Sequence, residues 1–245
     1  MKTTLVINTK GGAGKTTVAT NLASYFAAKG AVAAIMDYDP QGSSLQWLRV
    51  RPSTLGAIRG ADGTAHAEGL RSRRMYVMPN TEHMIIDAPA GASRLLLQDM
   101  LRTADQVVIP VGPSAIDIHA TANFIKDLLL QGRVCVHGIR VGVVANRVRD
   151  SKPVYAPLER FLRALQMDFI TRLRDSDAYI EAAETGVGIF EMDENASAKE
   201  RQEFMPIVEW VGGASKAQES ANVVMLPGVQ AGAGPVNAGL VTGGA

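Results

Sequence analysis

A three-layer α/β fold, with a doubly wound and mostly parallel sheet between two layers of helices, is the architecture the sequence predicts. Two observations carry this. Short β-branched apolar runs alternate with stretches of helical period, the pattern of βα units whose sheet is covered on both faces. The first of those runs meets a glycine-rich loop that opens straight into a helix, the order of a phosphate-binding α/β unit.

The elements follow in order. Thr3–Asn8 reads as a strand, and Lys15–Lys29 as a helix with Val18, Leu22, Tyr25 and Phe26 on one face. Val32–Asp37 is a strand and Ser43–Arg49 a short helix. Arg51–Arg74 holds Gly, Ala and Arg with little periodicity and reads as an irregular connection. Met75–Met78 and His83–Asp87 are short strands, Arg94–Thr103 a helix, Gln106–Val111 a strand and Ile116–Leu130 a helix. Ile139–Asn146 is a strand, Tyr155–Gln166 a helix and Asp168–Thr171 a short strand, with helices at Asp177–Thr185 and Ala198–Val211. Residues 1–211 are expected to form one domain. Gly212–Ala245 is Gly/Ala-rich, buries too little apolar surface to offset its ordering entropy, and is expected to be a disordered tail. A packed strand at Val223–Leu226 is the alternative.

Composition removes several function classes. Twenty-five Lys+Arg against 24 Asp+Glu give a net charge of +1, so binding to a polyanion or a membrane surface requires a local patch. The single Cys135 excludes an internal disulfide framework and any multi-cysteine metal site. His66, His83, His119 and His137 are scattered, with no metal-ligand spacing. No apolar run approaches the ~18 residues of a membrane span, and a cytoplasmic protein is expected.

The loop Lys10-Gly11-Gly12-Ala13-Gly14-Lys15-Thr16-Thr17 carries the chemistry. Its glycines let backbone N–H groups curl around phosphate oxygens, and the helix that follows presents its positive end. Lys15 would reach the β- and γ-phosphates of ATP, and the Thr16 hydroxyl would ligate Mg²⁺. Asp87 ends a buried strand and is expected to hold that ion through water. Asp39 can orient an attacking water or, alternatively, cap the turn before Ser43. Asp37 is either part of the metal's water shell or structural.

The usual pattern G-x-x-x-x-G-K-[ST] is not met, because its first glycine falls on Thr9. The K-G-G-x-G-K-T-T found instead resembles the deviant Walker A loop of the ParA/MinD family of dimeric P-loop ATPases. Asp37-Tyr38-Asp39-Pro40-Gln41-Gly42-Ser43 resembles the family's second motif. Ile85-Ile86-Asp87-Ala88-Pro89-Ala90-Gly91 resembles its Walker B, with Ala90 where Pro is common. Val143-Val144-Ala145-Asn146-Arg147 resembles the strand whose Asn reads adenine. The resemblance implies that Asp39 is the hydrolytic carboxylate. It implies that Lys10 crosses a homodimer interface to the partner's nucleotide, so that ATP holds the dimer together. It implies Asn146 at the base.

ParA-type relatives also bind DNA backbone without reading sequence, through a basic patch over both subunits. Arg149, Lys152, Arg172 and Arg174 are the candidates here, the alternative being a solvated helical face. The resemblance thus implies a nucleoid-associated switch that positions a plasmid, chromosome origin or protein assembly such as a carboxysome, with hydrolysis stimulated by a cargo-bound partner protein. A MinD-like membrane regulator is the alternative. Membrane binding is not expected, because the stretch after Gly212 has Lys216 as its only cation.

Overall fold

The computed structural model describes residues 1–64, 80–131, 138–149 and 155–213. Seven strands among them form one parallel sheet: β1 (Lys2–Val6), β2 (Ala33–Asp37), β3 (Ile58–Asp62), β4 (His83–Asp87), β5 (Gln106–Val111), β6 (Arg140–Val148) and β7 (Asp168–Arg174). Their order is β3-β2-β4-β1-β5-β6-β7. The chain winds outward from β1 in one direction, then reverses and continues from β1 in the other. Ligand sites in such sheets open at the carboxyl ends of the strands beside this reversal.

The helices are α1 (Lys15–Ala28), α2 (Ser43–Val50), α3 (Arg94–Thr103), α4 (Ala115–Gln131), α5 (Ala156–Ala164), α6 (Asp177–Thr185) and α7 (Ala198–Gly212). Successive strand residues point to opposite faces of the sheet, and the core divides accordingly. Leu5, Met84, Ile86, Val107 and Ile109 pack against α3, α4 and α5 through Leu101, Ile125, Leu128 and Leu158. Val6, Ile35, Ile85 and Val108 pack against α1, α2, α6 and α7 through Leu22, Trp47, Ala182 and Phe204. Both faces are covered, as the alternation of runs predicts.

One expectation needs correction. Ile58–Asp62, inside the segment read as irregular, is a strand paired in parallel with β2. Lying at the sheet edge, it is only partly buried, so its sequence Ile-Arg-Gly-Ala-Asp carries neither an apolar run nor an alternation. Two strands also run further than expected, β6 to Val148 and β7 to Arg174, and α7 continues to Gly212. The predicted strand Met75–Met78, together with His66, Cys135, His137, Lys152 and the tail from residue 214, lies outside the described residues.

Candidate nucleotide site

The carboxyl ends of β1, β2 and β4 come level: Val6, Asp37 and Asp87 are register partners. The glycine-rich loop leaves β1 there. Asn8 anchors it, donating from Nδ2 to the carbonyl of Pro110 (2.7 Å) and to Thr121 Oγ1 (2.9 Å), while Lys10 N–H donates to Asn8 Oδ1 (3.2 Å). Gly12 and Gly14 take φ of 73° and 93°, the left-handed region that glycine enters without strain.

The helix that follows has an open N-terminus. α1 has no side-chain cap and no acidic residue in its first turn. By contrast, α3 and α6 are capped by Ser93 and Ser176, which accept from Leu96 N–H and Ala178 N–H. An uncapped N-terminus leaves backbone donors and the positive dipole end for an anion.

Three predicted side chains converge at this point. Lys15 is buried, and its Nζ donates to the carbonyl of Lys10 across the loop (3.2 Å). Burial lowers its pKa, while the nearby Asp87 and Asp39 carboxylates oppose that shift. Thr16 Oγ1 donates to Asp87 Oδ2 (2.8 Å). The other oxygen, Asp87 Oδ1, is buried and has no hydrogen-bond partner. Burial pushes the Asp87 carboxyl up to about 7, against the Thr16 hydrogen bond; Asp37 adds to the rise and Lys15 opposes it. An orphaned buried carboxylate oxygen beside a hydroxyl is a fitting donor set for a hydrated Mg²⁺. No cluster of metal-ligating side chains occurs elsewhere among the described residues.

The two aspartates of the second motif differ. Asp37 accepts from Asp39 N–H (2.9 Å) on Oδ1, and from Ser44 N–H (3.0 Å), Ser44 Oγ (2.7 Å) and Leu45 N–H (3.3 Å) on Oδ2. It caps α2 from outside the helix, so of its two expected roles this geometry supplies the structural one. Asp39 is half-buried, and its Oδ1 accepts from Gln41 N–H (3.0 Å). That contact closes the turn, and the Asp39 carboxylate lies near enough to Lys15 and Asp87 for its charge to raise the pKa of both. Lys10 is half-exposed, and its ammonium has no ion pair among the described residues.

Asn146 packs beneath the loop. Its Nδ2 donates to the carbonyl of Ala13 (3.0 Å), and a Cβ on Gly14 would fall 1.9 Å from that nitrogen. Only glycine admits this approach.

The arginine face differs in kind. Arg149 pairs with Asp175 (2.7 Å), Arg172 with Glu159, and Arg174 with Glu203 as well as Glu200 (3.8 Å). These three predicted patch residues each have a carboxylate of the same chain beside them.

Sequence reading missed Asn8, Ser44 and an inward clamp. Asn8 and Ser44 are polar residues at the junctions of apolar runs, a visible signal for anchoring. The clamp is Arg51, whose guanidinium pairs with Glu191 (2.5 Å), both side chains being nearly inaccessible, and also donates to the carbonyls of Gly56 and Gly186. It ties the end of α2 to the segment after α6 across 140 residues of sequence, and no local pattern announces it.

A family model described as the CobQ/CobB/MinD/ParA nucleotide binding domain matches residues 4–189. The chain is 24% identical over 191 residues to a maintenance of carboxysome distribution protein A of Halothiobacillus neapolitanus, covering 78% of this chain and 87% of that protein. It is 34% identical over 169 residues to the protein of the same name from Gloeobacter kilaueensis, covering 65% and 75%. The structure of a Cyanothece McdA–ATP complex superposes with a TM-score of 0.67 at 21% identity, covering 87% of this chain and 96% of that one.

Proposed function

The chain belongs to the CobQ/CobB/MinD/ParA family of nucleotide-binding domains and is of the ParA type; from that premise we propose that it is a positioning ATPase. ATP and Mg²⁺ bind at the loop, two copies close on the nucleotides, and the dimer binds DNA without sequence preference. A partner protein on the cargo stimulates hydrolysis and releases it. Two relatives named for carboxysome distribution favour a protein assembly of that kind as the cargo.

The observation that carries the reading is the half-satisfied Asp87–Thr16 pair beneath an uncapped α1. In the proposed mechanism the loop N–H groups of Gly11–Thr17 hold the phosphates. Lys15 leaves the Lys10 carbonyl for the β- and γ-phosphate oxygens. Thr16 and, through water, Asp87 hold Mg²⁺, which when bound supplies charge neutralisation at those phosphates. Asp39 orients the attacking water through its free oxygen. Lys10 reaches the partner's nucleotide and stabilises charge in the transition state. Asn146, which in the free protein holds the Ala13 carbonyl, would turn to the base.

The ion pairs decide which cations the proposed dimer has available for DNA. Arg149 is largely exposed, so its pairing with Asp175 is weak and exchangeable for a phosphate. Arg174 is held by its own N–H as well as its guanidinium on Glu203 and is the less available cation. The MinD-like membrane reading is less favoured. The apolar face of α7, with Phe204, Ile207 and Val211, is buried in the core.

The test measures oligomeric mass and DNA co-sedimentation with ATP, with ADP and without nucleotide. Dimers and DNA binding only with ATP are expected. A monomer in all three states, or binding to anionic vesicles in place of DNA, would overturn the reading.

A further inference from the structure

β1 gives way to the phosphate loop through a side chain rather than a further backbone step. The ladder between β1 and β5 ends with Ile7 N–H donating to the carbonyl of Val108 (3.1 Å). Donors and acceptors in a parallel ladder are evenly spaced, so the next partners would be Thr9 N–H and the carbonyl of Pro110. Asn8 takes that carbonyl instead, from Nδ2 at 2.7 Å. Its second Nδ2 hydrogen goes to Thr121 Oγ1 in the middle of α4 (2.9 Å), and its Oδ1 accepts Lys10 N–H (3.2 Å). Asn8 and Thr121 are both almost wholly buried. The amide is therefore fixed in one sense. Turned over, it would set its oxygen against the Pro110 carbonyl and its hydrogens against Lys10 N–H.

The main chain at Lys10 is held on both sides. Its N–H donates to Asn8, and its carbonyl accepts from Lys15 Nζ (3.2 Å). The next two residues have no such support: Gly11 and Gly12 are exposed, and a Cβ on either would meet nothing within 4 Å. The loop is next tied at Ala13, whose carbonyl accepts from Asn146. Lys10 is thus the last fixed point before a free span. When Lys15 moves to the phosphates, as proposed above, the Lys10 carbonyl is released and Asn8 is the side-chain tether that remains on Lys10. Where a flexible lysine delivers its ammonium depends on where its main chain is fixed, and a group that stabilises transition-state charge tolerates little displacement.

We infer that Thr121 is a positioning residue for hydrolysis: it holds Asn8, Asn8 holds the main chain at Lys10, and α4 thereby sets where the Lys10 ammonium arrives. The inference rests on the role proposed above for Lys10. Thr121 acts through two other residues and contacts neither phosphate nor metal. Its effect therefore falls on turnover, while nucleotide affinity belongs to Lys15, Thr16 and the loop N–H groups.

The test uses the full-length protein with Thr121→Val, which keeps the branched shape and removes the acceptor, and Thr121→Ser, which keeps the acceptor. Steady-state ATP hydrolysis and calorimetric titration with ADP read turnover and affinity separately. Thr121→Val should lower kcat about tenfold, with KM for ATP and ADP affinity within about twofold of the parent. Thr121→Ser should restore kcat. In a Lys10→Ala background Thr121→Val should cost nothing further, because residues that act through one group are not additive. Unchanged kcat in Thr121→Val overturns the inference, as does a loss of ADP affinity as large as the loss of kcat, which would make Thr121 a support of the whole loop. A loss of kcat that persists in the Lys10→Ala background overturns it too. If the valine variant does not fold, amide exchange in the unaltered protein decides. Lys10 N–H should stay protected when a non-hydrolysable ATP analogue binds, and lost protection would show that Asn8 has let go and overturn the inference. A parent protein that binds ADP but does not hydrolyse ATP would remove the role proposed for Lys10, and one that binds no nucleotide would remove the site reading itself. Both results are distinct from the others.

Discussion

Asp37 and Asp87 end neighbouring strands at the same level, and both are almost wholly buried. One accepts four hydrogen bonds from its own turn and helix; the other accepts one and leaves an oxygen orphaned. Burying a carboxylate is costly unless donors compensate, so Asp37 is a closed structural unit and Asp87 an open one. The same contrast separates the ends of the molecule's charged regions. Around the loop, the α1 N-terminus and the Lys10 ammonium have capacity to spare, while Arg149, Arg172 and Arg174 each pair with a nearby carboxylate. Unspent capacity marks where a ligand is needed; spent capacity marks where the fold has already used the group.

The sharpest way to break that contrast is at Asp39, whose Oδ2 is the unspent half of a turn-closing carboxylate. Asp39→Ala should lower ATP turnover by about 10²–10⁴-fold, the range for loss of a group that positions a reacting water. ATP binding and dimerisation should persist. Steady-state phosphate release and a nucleotide titration check both halves, and normal turnover would move the role to another group. Lys15→Ala comes next: it removes the one buried ammonium at the loop and should weaken ATP and ADP by about 100-fold, read by calorimetry.

The two aspartates themselves give the third test. Asp37→Asn puts an amide donor against Ser44 and Asp39 N–H groups and should destabilise the protein by about 2–3 kcal/mol in urea melts. Asp87→Asn should cost nothing in the metal-free protein, and its pH dependence carries the sign. The Asp87 carboxyl is raised in the folded state, from 3.8 to about 7, so the folded protein holds its proton more tightly than the unfolded chain. Stability from this group is fully present at low pH and is lost as pH rises through the window from about 4 to 7. Asp87→Asn should flatten that slope. A slope unchanged in Asp87→Asn would mean that another group sets it.

How much of this was legible follows from where each signal is local. The loop is eight consecutive residues, and its strand and helix flank it in sequence, so Lys15 and Thr16 are found where they were expected. The sheet was legible for strands buried on both faces, such as Gln106–Val111, because burial there forces an apolar run. It failed at Ile58–Asp62, an edge strand with one neighbour, whose half-exposed residues need no apolar pattern. The ends of β6 and β7 failed for a related reason, since pairing through a bulge depends on the partner strand and not on local composition. What Asp37 does was open in the sequence, because its four donors lie two to eight residues away and only the folded turn brings them to it. The Arg51–Glu191 clamp was invisible, joining positions with nothing between them to suggest contact.

The smallest effect tests the contrast where it is weakest. Arg149 and Arg174 are both ion-paired, yet their exposure differs: the Arg149 side chain is 80% accessible and that of Arg174 34%. An exposed pair gains little in water and loses side-chain entropy, so Arg149→Ala should change stability by no more than about 0.5 kcal/mol. Arg174 is different, because its removal takes the guanidinium from Glu203 of α7 and leaves that carboxylate only the backbone N–H of residue 174. Arg174→Ala should cost about 1–2 kcal/mol. The proposed DNA binding should reverse the ranking. A phosphate displaces Asp175 from Arg149 at little cost, so Arg149→Ala should reduce the log–log salt slope of DNA binding. The reduction should be about 0.9 for each phosphate left without its cation, or about 1.8 for a dimer. The slope for Arg174→Ala should stay near the parent value. Urea melts and binding titrations between about 50 and 200 mM salt read the two quantities separately. If instead Arg174→Ala flattens the slope and Arg149→Ala does not, pairing within the chain does not predict which cations reach DNA, and exposure would have to be replaced by position on the dimer as the deciding variable.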